Sequence, residues 1–276
     1  MTAPLIAVAT DFSSRADRAV DRGWQIGRDM AARVRFIHAI ELADARNTNR
    51  VDLDRKMSEC VGASVDDESC EFLYPEGSPP KAIAGACQTD DVALLVVGPA
   101  RYNTLGDYFL GTSVDYVLRH TTKPVLVVKN RARGPYRRII AGTDFSPGSA
   151  HSILTAAQMF PDAAIHITHA WEVPFKALQQ DSYVAAETQQ GEAEKMEKFK
   201  AALIERDPAL ANATYNLVQG GPLTAIRETL ASDTSALVVM GSHGTSGWRQ
   251  AAIGSVTSDL LRYIESDVLV VNTKGA

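Results

Sequence analysis

Cysteine is scarce: the 276-residue chain has three, Cys60, Cys70 and Cys87, an odd number without a C-x-x-C pair. That pattern fits neither a disulfide framework nor a thiolate zinc site, so buried or half-buried thiols are expected. No apolar run approaches the ~20 residues of a membrane span, and the N-terminus lacks a basic segment followed by a long apolar stretch. A cytoplasmic protein with no membrane partner is the expectation. Long basic stripes are missing too, and a formal net charge of -5 argues against a general nucleic-acid binder. Arg131, Arg133, Arg137 and Arg138 do cluster, but around Gly134-Pro135, which breaks both helix and strand; they read as solvated charge at a linker. The six histidines contain no HExxH or similar ligand spacing, and His166 and His169, three apart in a strand, point to opposite faces. No metal site is expected. A Walker lysine, an acidic pair and a Ser/His/Asp or Cys/His arrangement placed by motif are also lacking, so no catalytic residue is assigned.

What is present is ample core material, 45% hydrophobic against 22% charged, in a chain long enough for two domains. Residues 5–10 form an apolar run closed by Asp11, after which Ser13 is expected to cap a helix reaching about Arg33. Residues 34–40 and 92–97 read as strands, residues 71–75 as extended chain, and residues 125–128 as a strand after Pro124. Helical periodicity or helix starts fall between them, at Leu53/Met57/Val61, after Pro79, and from Gly111-Thr112. Apolar strands alternating with helices indicate a parallel sheet covered on both faces.

The same order then repeats. Thr143-Asp144-Phe145-Ser146 matches Thr10-Asp11-Phe12-Ser13, and His169-Ala170 matches His38-Ala39. Gly220-Gly221-Pro222 matches Gly77-Ser78-Pro79, Gly254-Ser255 matches Gly111-Thr112, and residues 268–271 match 125–128. A duplicated five-strand unit explains this collinear series, giving domains at 1–130 and 136–276 with the linker between them. From His38 to Gly77 is 39 residues but from His169 to Gly220 is 51; the excess is expected as a polar helix over 187–206 with Met196, Phe199 and Leu203 as its buried seam.

Residues 238–272 carry the chemistry. An apolar run is cut by Gly241 and followed by a Gly/Ser/Thr-rich loop; Gly254-Ser255 then opens a helix with Val256, Leu260, Leu261 and Ile264 on one face. A helix N-terminus leaves backbone N–H groups unpaired, its dipole favours an anion, and Ser255 and Thr257 offer hydroxyls, so the physical reading is a phosphate site. With strand order 3-2-1-4-5, the reversal of order lies between the first and fourth strands, which puts Asp144 beside this loop. There Asp144 could accept from ribose hydroxyls; it could equally be a helix-capping aspartate.

The spacing Gly241-x2-Gly244-x9-Gly254-Ser255 differs from GxxxxGK[ST] and GxGxxG, and resembles the nucleotide loop of ATP-binding universal stress proteins. With the matching first half, the resemblance spans nearly the whole chain, as two such domains in tandem. It implies two flavodoxin-like or Rossmann-like five-stranded α/β domains paired through their fifth strands as a pseudo-twofold unit, with a homodimer of chains also open. It further implies that Asp144 meets the nucleoside, the Ala170 backbone meets adenine, and Met240 and Gly241 flank it. Gly244, Gly254, Ser255 and Val256 would line the phosphates, with His243 assisting. The ligand would be ATP, ADP or AMP, with any Mg²⁺ held by phosphates and water. The function implied is regulatory and non-catalytic, in the stress response; a slow ATPase or adenylate-using enzyme and a nucleotide-free scaffold are the rivals.

The first half departs from the pattern. Asp11, Ala39, Gly98, Gly111, Thr112 and Ser113 stand at matching positions, but Arg101 replaces the second glycine, with Pro99 in the turn and Asp107 adding like charge. A side chain there obstructs close backbone approach, unless Arg101 itself donates to phosphate. A weakened or empty first site is expected.

The fifth strands give a physical motive for pairing: both are last in their unit and continuously apolar, and an uncovered edge of that kind invites association.

Overall fold

The computed structural model describes residues 4–64, 66–89, 91–99, 112–173, 182–242 and 253–272. The first half contains β1 (Leu5–Ala9), α1 (Asp17–Asp29), β2 (Arg33–Ile37), α2 (Arg50–Val61), β3 (Cys70–Leu73), α3 (Pro79–Ala86), β4 (Val92–Val97), α4 (Thr112–His120) and β5 (Val125–Val127). The second contains β6 (Arg138–Thr143), α5 (Pro147–Met159), β7 (Ala164–Trp171), α6 (Ser182–Arg206), β8 (Thr214–Gln219), α7 (Pro222–Leu230), β9 (Leu237–Gly241), α8 (Ser255–Tyr263) and β10 (Val268–Val271).

These strands make one sheet in the order β3-β2-β1-β4-β5-β10-β9-β6-β7-β8. Each half therefore has the 3-2-1-4-5 order, and the two halves meet at β5 and β10. Pairing is parallel within each half and antiparallel at the seam, where Val127 faces Val268, Leu126 faces Leu269 and Val125 faces Val270. The apolar edges thus cover each other within one chain. Side chains alternate across a strand, so Leu126, Val128, Leu269 and Val271 join the core on one face while Val125, Val127, Val268 and Val270 join the other. Both cores run unbroken across the seam, each fully buried Val or Leu contributing roughly 1.5–3 kcal/mol.

The repeated Thr-Asp-Phe-Ser turn behaves differently in its two copies. Ser146 caps α5, its Oγ accepting from Ser149 N at 3.1 Å, with Pro147 at the first helical position. Ser13 does not cap: its own N–H donates to Asp11 Oδ1 at 3.0 Å, and α1 begins only at Asp17, after Ala16. That helix also stops at Asp29, since Arg33 is already the first residue of β2. Both copies close the same turn, Ser13 N–H donating to Asp11 and Ser146 N–H to Asp144, so the difference lies downstream: Pro147 fixes the helical φ after Ser146, and no proline follows Ser13. Ser146→Ala should therefore cost ~1 kcal/mol and Ser13→Ala less than ~0.5 kcal/mol in urea unfolding. Equal losses at the two positions would contradict this asymmetry.

The linker is pinned rather than free. Tyr136 is 5% exposed, and Gly134 O accepts from Arg22 of α1 at 2.8 Å. Among the thiols, Cys70 and Cys87 are buried and Cys60 half-buried, all three free. Among the described residues no helix is long and apolar enough to cross a membrane.

Candidate functional site

A cavity of about 290 Å³ opens at the carboxyl ends of β6, β7 and β9, on the reversal of strand order in the second half. Its floor is Gly142-Thr143, near the end of β6, where a side-chain carbon on Gly142 would collide with Met240 Sδ. Asp144 follows directly and is half-buried, with one oxygen accepting from Ser146 N at 3.1 Å. That closes a turn two residues before the N-cap Ser146, so Asp144 is not the helix-capping residue of the alternative reading, and it lines the cavity.

Ala170 enters from β7, and Met240 and Gly241 from the end of β9. Gly254, Ser255 and Val256 enter from the start of α8, where the N-cap Gly254 supplies no capping side chain. Seven of the nine residues expected in this site are thus brought together. His243 and Gly244 lie outside the described residues.

Two donors differ from expectation. Gly254 N–H is already given to Ser242 O at 2.9 Å, and Thr257 Oγ1 donates to Gly241 O at 2.8 Å with Thr257 3% exposed. Thr257 therefore ties the helix start to the strand end and offers no hydroxyl to a ligand. Ser255 is exposed at the helix tip, and the first-turn N–H groups that follow Gly254 have no acceptor within the helix.

The cavity wall also includes Thr168 and His169 of β7 and Pro222, Ala225 and Ile226 of α7. Sequence reasoning did not assign these, although Gly220-Gly221-Pro222 and His169-Ala170 were both visible as repeat matches. Behind the wall, Phe145 takes φ +63° and stacks on His169, with ring centroids 4.1 Å apart. His169 Nδ1 donates to Thr143 O at 2.8 Å, and Phe145 N–H to Thr143 Oγ1 at 3.0 Å. Positive φ in an aromatic residue is an outlier that the surroundings must hold. Here α6 helps: Phe199 packs edge-on against Phe145, and Glu192 Oε2 lies 3.3 Å from His169 Nε2. The lengthened segment of the second half thus buttresses the crevice, with Met196, Phe199 and Leu203 as its buried seam.

The first half repeats the turn with the shorter α2 behind it, Lys56 Nζ lying over the Phe12 ring 4.5 Å from its centroid. Phe12 takes φ +58° and packs on His38 at 4.1 Å; His38 Nδ1 donates to Thr10 O at 3.0 Å. Burial lowers the His38 pKa below its usual value, opposed by the Thr10 contact. Asp11 is exposed, Ala39 and Gly98 are half-buried, Thr112 starts α4 and Ser113 is exposed on it. The backbone of Arg15 and Ala16 lies 3.4 and 3.6 Å from where a side-chain carbon of Gly98 would stand. The late start of α1 leaves a turn of chain packed against the end of β4. Arg101 and Gly111 lie outside the described residues.

The model of the universal stress protein family matches the chain twice, over residues 5–129 and 135–272. Among solved structures, a functionally unknown protein from Pseudomonas aeruginosa PAO1 is 19% identical with a TM-score of 0.67, over 98% of this chain and 93% of its own. A universal stress protein from Archaeoglobus fulgidus DSM 4304 is 16% identical with a TM-score of 0.65, over 99% of this chain and 100% of its own. A universal stress protein in complex with cAMP is 28% identical over 46% of this chain and 98% of its own, with a TM-score of 0.35. No curated protein matches. The chain belongs to the universal stress protein family and carries that family's domain twice.

Proposed function

We propose that the second crevice binds an adenine nucleotide, ATP, ADP or AMP, and that the protein acts in the stress response as a regulatory, non-catalytic cytoplasmic protein. The observation that carries this reading is the cavity that gathers Asp144, Ala170, Met240, Gly241, Gly254, Ser255 and Val256 at the switch point of the sheet. Asp144 would accept from the ribose, the Ala170 backbone would meet the adenine edge, and Met240 and Gly241 would flank the base. The first-turn N–H groups of α8 and the Ser255 hydroxyl would face the phosphates, with Gly244 and His243 completing the loop. The domains would run over 1–130 and 136–276, the first with a weakened or empty site. Any Mg²⁺ would be held by the phosphates and water, since the described cavity wall has one carboxylate, Asp144.

Chromatography of nucleotide released on denaturing the purified protein tests this. The expected result is about one adenine nucleotide per chain, partly retained when the protein is first dialysed against EDTA. Absence of nucleotide together with failure to take up added ATP or cAMP would leave a scaffold. Steady phosphate release that disappears in Gly244→Arg would make the protein an ATPase.

A further inference from the structure

A second cavity, of about 560 Å³, lies on the opposite side of the second half from the glycine loop, where the linker crosses between the halves. Arg18 and Arg22 reach it from α1, Arg131, Arg133 and Arg137 from the linker, and Thr234-Ser235 from the turn after α7. Five arginines thus line one hollow in a chain whose net charge is -5, Arg18 donating to Lys129 O and Arg22 to Gly134 O from its edge. The carboxylate in the lining, Asp267, is 2% exposed and already engaged by Tyr136 Oη at 2.6 Å, by Lys129 and Asn130 N–H at 2.7 and 2.9 Å, and by Arg22 at 3.6 Å. It leaves little negative charge for the other four arginines.

Arg131, Arg133 and Arg137 are exposed and have no ion-pair partner among the described residues. Arg22 is 4% exposed, yet its Nε has no hydrogen-bond partner among them. Like charges held together repel, and a buried N–H without an acceptor costs free energy. A multiply charged anion supplies what both lack. Planar guanidinium groups fork onto phosphate oxygens, and several around one hollow favour a chain of phosphates over a single small ion.

We propose that this interdomain hollow is an anion site for a small oligophosphate, separate from the glycine-loop crevice and independent of what that crevice binds. Because Arg18 and Arg22 belong to the first half, the linker arginines stand between, and Thr234-Ser235 belong to the second, the occupant would bridge the halves.

Titration calorimetry of the full chain with inorganic tripolyphosphate tests the proposal. The expected result is about one equivalent bound per chain, unchanged in Ser255→Glu and weakened at least tenfold in R131S/R133S/R137S. Those three side chains are exposed, so the core is untouched, and a circular-dichroism melt checks folding. A charge-matched control, R46S/R55S/R206S, removes three arginines elsewhere and should bind as the wild type does. Equal binding by the linker variant, loss in Ser255→Glu, equal weakening in the control, or sulfate binding as tightly as tripolyphosphate would each overturn the site. On the Ser255→Glu background, ATP binding no tighter than tripolyphosphate assigns an inorganic phosphate chain, and tighter ATP binding assigns a nucleotide.

Discussion

Asp267→Ala is expected to destabilise the chain by about 3–5 kcal/mol, because it removes the carboxylate that neutralises a buried cationic pair. Asp267 is 2% exposed and accepts from the Tyr136 hydroxyl and the Lys129 and Asn130 amides, while Arg22 approaches its second oxygen. Arg22 also lies over the Tyr136 ring, 4.1 Å from its centroid, so a first-half cation, a linker ring and a second-half acid form one unit. Deleting the acid leaves Arg22 and Lys129 buried without their counter-charge. Asp267→Asn keeps one acceptor oxygen for the two amides but turns an NH2 toward the Tyr136 hydroxyl and loses the charge, and should fall between wild type and alanine. Guanidinium unfolding measures both; a loss below ~1 kcal/mol for alanine would mean that the strand seam alone holds the halves.

Lys129 supplies the second large effect, and its sign is opposite to that of an ordinary ion pair. Its Nζ donates to Leu261 O at 2.8 Å and to Ile264 O, capping the C-terminal end of α8 from the other half. Asn272 returns the contact, its amide donating to Thr121 O just beyond α4. Burial lowers the Lys129 pKa from its ordinary 10.5 to about 8, against the pull of Asp267. Below pH 8 both folded and unfolded chains carry the proton, and the folded state bears the cost of a buried ammonium. Between pH 8 and 10.5 the folded chain has released it while the unfolded chain still holds it, so stability rises with pH across that window.

Relative to Lys129→Met, wild type should gain about 3 kcal/mol between those limits, from the ~1.4 kcal/mol per unit that links pKa to stability. The comparison matters because burial raises the Tyr136 pKa and pushes Cys87 up to about 12, which lowers stability at alkaline pH in both proteins. Those contributions cancel in the difference. A flat difference from pH 8 to 10.5 would show that Lys129 is hydrated in the folded protein.

The features legible from the sequence were those written locally or twice. The parallel sheet followed from apolar runs alternating with helical periodicity, its strand order went with the resemblance, and the seam followed from two unprotected Val-Leu-Val edges. Asp144, Ala170 and Gly254 could be placed because each has a partner one repeat earlier. The start of α1 was misread because Asp-Phe-Ser makes the same turn in both halves, and only the following chain, Pro147 in one half and Ser14 in the other, separates the copy that caps from the copy that does not.

The Arg22–Tyr136–Asp267–Lys129 unit was hidden for another reason. Its members are up to 245 residues apart (267 minus 22) and read singly as solvated charge or linker. Thr257 was read as a ligand donor because a hydroxyl near a helix start is ambiguous until its acceptor, Gly241 O, is seen. Glu192 and Phe199 lie on α6, which is about twice as long as its first-half counterpart α2, so the repeat did not point to their role behind the crevice.

The two halves match at the helix start, Gly254-Ser255 against Gly111-Thr112, and differ in sequence at the second glycine, Gly244 against Arg101. Titration calorimetry with ATP on wild type, Ser255→Glu and the matching first-half change Thr112→Glu tests the central claim most directly. A carboxylate placed among phosphate-binding N–H groups repels the ligand and occupies its donors. The account expects one ATP per chain, affinity reduced at least a hundredfold by Ser255→Glu, and no change with Thr112→Glu. Loss of binding with Thr112→Glu while Ser255→Glu binds normally would contradict it.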